Sequence, residues 1–334
     1  MNAPASILRV LIVKTSSMGD IVHALPVVHD ILAAHPGAQI DWLVEEAYAD
    51  IVRAHPGVRR VVPLALRRWR KRFWRAEIRR EWRQFRAQLR TETYDAVIDL
   101  QGLLKSAVVA RQARGPVSGW GWGSARESMA VPFYRHRYSG APMRSVPAVE
   151  RCRQLAAHVL GYVAHGSPVY GLRVPAEVQS PKELAAPYVV VLTATARPEK
   201  RWRPQDWVDT AQSMVASGRT VLFAWGTQAE RQAAQAIVEQ AALPAHLAVV
   251  QPEAWTLLQW LPILARADAV IGVDTGLLFL AAALDTPCVG IYVATSPVHV
   301  GIHSAGPHRN LGDVGSPPDA ATVVAAVATV ARTR

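Results

Sequence analysis

The chain of 334 residues has room for two cores of ordinary domain size, and its 50% apolar and 19% charged content is that of a folded soluble protein, which excludes a disordered or fibrous chain. Its 37 Lys and Arg outnumber 26 Asp and Glu, a formal charge of +11 that points to an anionic partner such as nucleic acid, a membrane surface or a phosphorylated substrate. Cys152 and Cys288 stand far apart in no metal-ligand spacing, and the longest apolar run, Leu277–Leu284, falls well short of the ~20 residues of a membrane span, which excludes a cysteine zinc site, a disulfide framework and a spanning helix.

Met1–Ser6 carries no signal-peptide pattern and Arg9 interrupts the first apolar run, so a cytoplasmic protein with reduced thiols is expected. Ile7–Val13 is a short branched run of buried-strand length, followed by the small polar turn Thr15-Ser16-Ser17-Met18-Gly19-Asp20. Ile21, Leu25, Val28, Ile31 and Leu32 then recur at helical spacing. Strand, turn and helix in this order open an α/β sheet, whose ligands sit beyond the carboxyl ends of the strands. Asp20 stands at that mouth, either as a carboxylate capping free amides at the helix start or as a catalytic group.

Gln39–Val44 and Val58–Leu64 read as further strands, each after a His-Pro-Gly turn. Arg67–Arg72 is a basic loop leading into an amphipathic basic helix with an apolar stripe of Trp74, Ile78, Trp82, Phe85 and Leu89. The stripe belongs in a core; the surplus of arginines suits anionic headgroups or a phosphorylated substrate. Tyr94–Leu100 is a strand, Leu103–Arg114 a helix, Gly115–Gly140 an aperiodic loop and Val149–Leu160 a helix. A Pro- and Gly-rich stretch places a linker at residues 166–187, between domains at 1–165 and 188–334.

The second domain repeats the α/β alternation. Strands are expected at Tyr188–Leu192, Thr220–Ala224, Leu247–Val250, Ala269–Val273 and Cys288–Tyr292. Helices are expected at Trp207–Ser217, Ala229–Ala241, Trp255–Ala265 and Gly276–Leu284, with a last one near Asp319–Arg332 that can cross back to the first domain. Three strand-end loops have phosphate-binding character. Thr193–Trp202 combines hydroxyls with Arg197, Lys200 and Arg201, as a diphosphate clamp or as a polar surface loop. Ile271–Leu280 turns through Asp274-Thr275-Gly276 into an apolar helix whose start favours negative charge. Trp225–Arg231 carries Glu230, which suits a ribose diol or the first turn of a helix. No Cys/His zinc cluster or Gly-x-Ser-x-Gly elbow occurs, and His23, His299, His303 and His308 read as packing or surface residues.

KTSSMGDIVHALP, LRRWRK at Leu66–Lys71, DLQGLLKSA, SARES at Ser124–Ser128, TATARPEKRW and VDTGLLFLAAAL, in this order along nearly the whole chain, resemble glycosyltransferase family 9. The resemblance implies a GT-B fold, with two Rossmann-like domains whose parallel sheets face a central cleft, the acceptor on the first and the nucleotide sugar on the second. It implies inverting transfer of a heptose from ADP-heptose to a Kdo sugar of Kdo-lipid A, at the cytoplasmic face of the inner membrane, without a tightly bound metal or cofactor. By position, Asp20 matches the general base; Thr195, Lys200, Thr275 and Gly276 match diphosphate contacts, and Asp274 the sugar end of that loop. Glu230 matches a ribose contact and Trp255 an adenine contact, while Arg67, Arg70, Lys71 and Arg126 match cations that meet the phosphorylated acceptor. Asp20 is expected to have a somewhat raised pKa from burial or like charge, and Lys200 with the helix start at Thr275 to hold the leaving diphosphate.

Phe279 stands where the family has a His against the donor sugar, and Thr193 and Ala196 replace the usual His and Thr of the lysine loop. These departures leave open a family-9 transferase with another donor. A nucleic-acid-binding α/β protein is the reading from a different class, opposed by the lack of a recognised nucleic-acid module. A GT-B sugar-nucleotide epimerase would need acid–base pairs at the nucleotide side, which the sequence does not offer.

Overall fold

A computed structural model describes residues 7–140, 142, 145–184, 187–195 and 197–332. The chain divides into two compact units, Met1–Arg173 and Val174–Arg334, a boundary inside the expected linker.

In the first unit, β1 (Arg9–Val13) leads through the short helix α1 (Met18–Val22) into α2 (Pro26–Ala34). The single expected helix is broken at His23–Leu25, and Pro26, which has no amide proton, starts a new one. Then follow β2 (Gln39–Glu45), α3 (Ala49–Arg53), β3 (Arg60–Leu64), α4 (Leu66–Trp69), α5 (Ala76–Leu89), β4 (Ala96–Asp99), α6 (Leu104–Ala110), β5 (Val117–Trp120), β6 (His136–Tyr138) and α7 (Ala148–Leu160). The six strands pair in parallel in the order β3-β2-β1-β4-β5-β6. Leu11 and Val13 of the central strand meet Ile78, Phe85 and Leu89 of α5 in one core. On α2 and α7, Asp30 and Arg153 form a buried ion pair, Nε to Oδ2 at 2.7 Å and Nη2 to Oδ1 at 3.1 Å.

Two expectations are corrected here. The basic segment is two helices joined by a turn, and Trp74, expected in the apolar stripe, precedes α5 with 71% of its surface exposed. Trp69 of α4 takes its place, edge-on to Trp82 at 5.7 Å and Phe85 at 5.5 Å. Gly115–Gly140 is not a loop: it contains β5, a 3₁₀ turn at Ser128–Phe133 and β6. Those strands are too short to show a period, and Gly119 in β5 has no Cβ because the Tyr134 ring occupies that space, at 2.6 Å from where one would stand.

The second unit comprises β7 (Tyr188–Leu192), α8 (Pro204–Ala216), β8 (Thr220–Phe223), α9 (Gln228–Ala241), β9 (Ala248–Val250), α10 (Leu257–Arg266), β10 (Ala269–Val273), α11 (Gly276–Ala283), β11 (Cys288–Ile291), α12 (Pro297–Val300), β12 (His308–Leu311) and α13 (Ala320–Val330). Its strands are also all parallel, in the order β12-β11-β10-β7-β8-β9. Both sheets therefore have the same doubly wound order, with strand direction of travel reversing between β1 and β4 in one and between β7 and β10 in the other. Ligands of such sheets bind at that crevice. The edge strand β12, with one apolar residue in His-Arg-Asn-Leu, was not expected from the sequence. The final helix α13 packs on α8 and on β11 of its own unit.

Candidate active site

At the crevice of the first unit, the turn after β1 is held from β4. Gln101 Oε1 accepts hydrogen bonds from the amides of Thr15 and Ser16, both at 3.1 Å. Asp99, wholly buried, fixes the backbone that follows it by accepting from the amides of Gln101 at 2.9 Å and Gly102 at 3.3 Å, and it also accepts from Ser106 Oγ and Tyr134 OH, each at 2.8 Å. Burial pushes the Asp99 pKa up against these four donors. Lys14, also buried, donates to Leu100 O at 3.0 Å.

Asp20 lies in the first turn of α1. Its Oδ2 accepts from Ser17 N at 2.9 Å and Ser17 Oγ at 3.1 Å, so the capping role is realised, and Arg126 Nη1 stands 3.7 Å from the same oxygen. None of these contacts uses Oδ1. Burial pushes the Asp20 pKa up, but Lys14, the Ser17 amide, Arg126 and His23 outweigh it and hold the carboxyl below its ordinary range. The expected rise is therefore corrected: the sequence showed the burial but not how many cations the turn collects.

Of the expected acceptor cations, Arg126 reaches Asp20. Arg67 is placed at the end of β2, where its amide donates to Glu45 Oε1 at 2.9 Å and its guanidinium lies 5.2 Å from the Tyr48 ring centre. Arg70 and Lys71 are exposed in the α4–α5 turn. Lys105, which sequence reasoning missed, donates to Ser16 Oγ at 3.4 Å. Gln101 and Lys14 were missed too; the signal was a polar residue directly at the end of a buried strand.

At the crevice of the second unit, Lys200 Nζ donates to Asp274 Oδ2 at 2.5 Å, and Thr295 Oγ1 donates to the same oxygen at 2.9 Å. The pair is largely buried, with side-chain exposures of 16% and 9%. It joins the loop after β7 to the loop after β10, adjacent strands in the sheet. Thr295 is a further residue that sequence reasoning missed. Thr275 is the N-cap of α11 in an extended conformation with its hydroxyl making no capping bond, and Gly276 opens the helix. Thr195 Oγ1 accepts from Arg197 N at 3.4 Å.

The remaining expected residues make contacts within their own unit. Glu230 Oε2 accepts from the amides of Gly226 at 2.8 Å and Thr227 at 2.9 Å, which makes it the partner of Thr227 in a capping box at the start of α9. Trp255 is buried edge-on to Trp260 at 4.9 Å, and its Nε1 has no hydrogen-bond partner among the described residues. Trp225 is the more open ring: its Nε1 donates to Gln251 O at 2.6 Å, and the Arg231 guanidinium lies 5.4 Å from its centre. Phe279 is buried within α11, Thr193 is half-buried, and Ala196 lies outside the described residues. Among the described residues, no three His, Cys, Asp or Glu side chains converge as metal ligands.

Residues 82–316 match glycosyltransferase family 9 (heptosyltransferase). The chain belongs to this family. It is similar to lipopolysaccharide heptosyltransferase 1 of Pseudomonas aeruginosa, 42% identical over 301 residues that cover 89% of this chain and 81% of the relative. It is similar in structure to E. coli heptosyltransferase WaaC with ADP, with a TM-score of 0.84 and 36% identity over 97% of this chain and 100% of the other. The same enzyme with ADP-2-deoxy-2-fluoro heptose gives a TM-score of 0.79 at 36% identity, over 96% and 98%. The family-9 protein is thus a glycosyltransferase of GT-B type, and its two Rossmann-like sheets are the expected ones.

Proposed function

We propose that the protein transfers a heptose from ADP-heptose to a Kdo residue of the lipopolysaccharide inner core on lipid A, by one inverting displacement, as a peripheral protein at the cytoplasmic face of the inner membrane. Relatives named for lipopolysaccharide heptosyl transfer, and similar structures holding ADP and an ADP-heptose analogue, support the substrate pair. The observation that carries the chemistry is what stands at each crevice: an ionised, partly free carboxylate in the first turn of α1, and a lysine fixed by Asp274 beside the start of α11.

In this mechanism an acceptor hydroxyl oxygen bonds to the anomeric carbon as the bond from that carbon to the diphosphate oxygen breaks. The hydroxyl proton passes to Asp20, whose Oδ1 is clear of the cap, and ADP leaves carrying the negative charge. Lys200 and the amides at Thr275–Gly276 stabilise that charge without reorganising, because Asp274 and the helix already hold them in place. Thr195, Glu230 and Trp255 are proposed to line the nucleotide, and Arg67, Arg70, Lys71 and Arg126 the acceptor's anionic groups.

A second reading keeps the reaction and changes the donor sugar. Phe279 favours it, because a buried phenyl ring cannot hydrogen-bond a heptose hydroxyl, a loss of ~1–3 kcal/mol where a polar partner is left unpaired. A panel of ADP- and UDP-sugars, scored for binding and for transfer to a Kdo-bearing acceptor, tests both readings. Transfer from ADP-heptose above all others is expected; preference for another donor replaces the first reading with the second. Asp20→Ala is expected to lower turnover by roughly 10²–10⁴ with little change in donor binding. Near-full turnover in that variant would remove Asp20 from the mechanism.

A further inference from the structure

The α4–α5 turn carries two aromatic rings to which the proposed transfer gives no role. Phe73 and Trp74 stand at its tip with 51% and 71% of their surfaces exposed. The turn has a defined form: Arg72 N bonds to Trp69 O and Arg75 N to Arg72 O, both at 3.0 Å, and Arg79 Nη1 bonds to Trp74 O at 2.8 Å. Residues 66–80 contain eight Lys and Arg against one acid, Glu77. Arg68 is tied to Glu46 and Glu81, whereas Arg70, Lys71, Arg72 and Arg75 form no ion pair with an acid among the described residues. Two adjacent aromatic rings held outward within a collar of unpaired cations have no use for water alone. Aromatic tips at headgroup depth with cations above them are the composition of an interfacial membrane anchor.

We propose that this turn is the surface by which the protein docks on an anionic lipid bilayer, with Phe73 and Trp74 entering the headgroup–acyl boundary and the surrounding cations on the phosphates. Its place in the sheet supports that occupant. The turn follows the carboxyl end of β3, two strands from β1, which is roughly 10 Å across a sheet. Asp20 follows the carboxyl end of β1, and Trp122, 61% exposed, follows that of β5 in the loop bearing Arg126. Because the sheet is all parallel, these segments share one edge, so a lipid-borne acceptor could meet Asp20 while its acyl chains stay in the bilayer. This last point rests on the proposed function; the docking itself does not.

The test is co-sedimentation of the full chain with phosphatidylglycerol/phosphatidylcholine vesicles and with pure phosphatidylcholine vesicles, without donor or acceptor. Binding is expected only to the anionic vesicles. F73A/W74A is expected to weaken it roughly tenfold or more, from partial burial of each ring, and R72E/R75E roughly 25-fold or more from the charge lost. Lipids brominated on their acyl chains are expected to quench part of the tryptophan fluorescence, and W74F to lose that part while still binding, which separates insertion from misfolding. Equal binding to both vesicle types, unaltered binding by F73A/W74A, or quenching unaffected by W74F would overturn the proposal. So would tighter binding of the same turn to a duplex oligonucleotide than to vesicles. If the parent chain transfers normally to a detergent-dispersed acceptor but does not bind anionic vesicles, the docking surface alone falls; if it binds vesicles without any transfer, the proposed reaction alone falls.

Discussion

Gln101→Leu tests whether the β1 turn is built to hold Asp20. The change keeps the bulk but removes the oxygen that receives the Thr15 and Ser16 amides. All three residues are buried, so water cannot replace it. Each orphaned amide costs about 1–3 kcal/mol, and partial relaxation of the turn should leave a net loss of about 2–4 kcal/mol. That is survivable against a stability of about 5–15 kcal/mol, and for a unit of this size it lowers the thermal midpoint by roughly 5–15 °C. The turn can recover its bonds only by moving, and a shift of about 1 Å at a reacting group can cost ~10²-fold in rate. Calorimetry and steady-state transfer read the two effects separately, with ADP affinity as the control because Gln101 lies in the other unit from Lys200. Gln101→Glu, which retains an acceptor oxygen, should recover most of the stability. The reasoning is refuted if Gln101→Leu melts and turns over like the parent, or if Gln101→Glu falls as far as Gln101→Leu.

Asp20, depressed in the folded state, stays ionised through neutral pH, and the stability it contributes is present above its unfolded pKa and lost as pH falls through the lower folded one. The acid limb of the transfer rate should therefore lie below the ordinary carboxylate range, and Arg126→Met, which removes a cation 3.7 Å away, should move it to higher pH; an unmoved limb would mean that another group sets it. Lys200→Ala should lower kcat by roughly 10²–10³ if it meets the developing charge on the diphosphate, and a loss under threefold would place it outside the reaction. Asp30→Ala leaves the Arg153 guanidinium, 2% exposed, without its main counter-ion and should cost about 3–5 kcal/mol in denaturant unfolding, with no effect on ADP binding; a neutral result would mean that Glu150 and the carbonyls of His165 and Gly166 suffice.

The strands at Tyr188–Leu192 and Ala269–Val273 were legible to the residue, because a run of branched side chains buried on both faces leaves no other reading. What the sequence concealed were elements whose reason lies elsewhere in the fold. Trp74 continues the helical spacing of α5 backwards, and only the tertiary position of Trp69 shows that the place is already filled. β12 is an edge strand, so its composition is not required to be apolar, and backbone pairing with β11 alone defines it.

The candidate site divides along the same line. Asp20, Lys200 and Asp274 were visible because each lies in the segment that follows the carboxyl end of a strand, where an open sheet presents its ligands. Their partners were not, because Gln101 meets Thr15 across 86 positions and Thr295 meets Asp274 across 21, separations that carry no periodic signal. The direction of the Asp20 shift is the sharpest instance. A partly buried carboxylate at a helix start reads as a base raised toward neutrality, yet Lys14 and Arg126 act on it, and neither lies within four residues in sequence. In the proposed function the site collects a phosphorylated acceptor and so gathers cations, and those cations would also lower the basicity of the proposed base. Under that proposal the two demands oppose each other at Asp20, and an acceptor phosphate pairing with Arg126 would relieve the opposition by offsetting that positive charge as the acceptor binds.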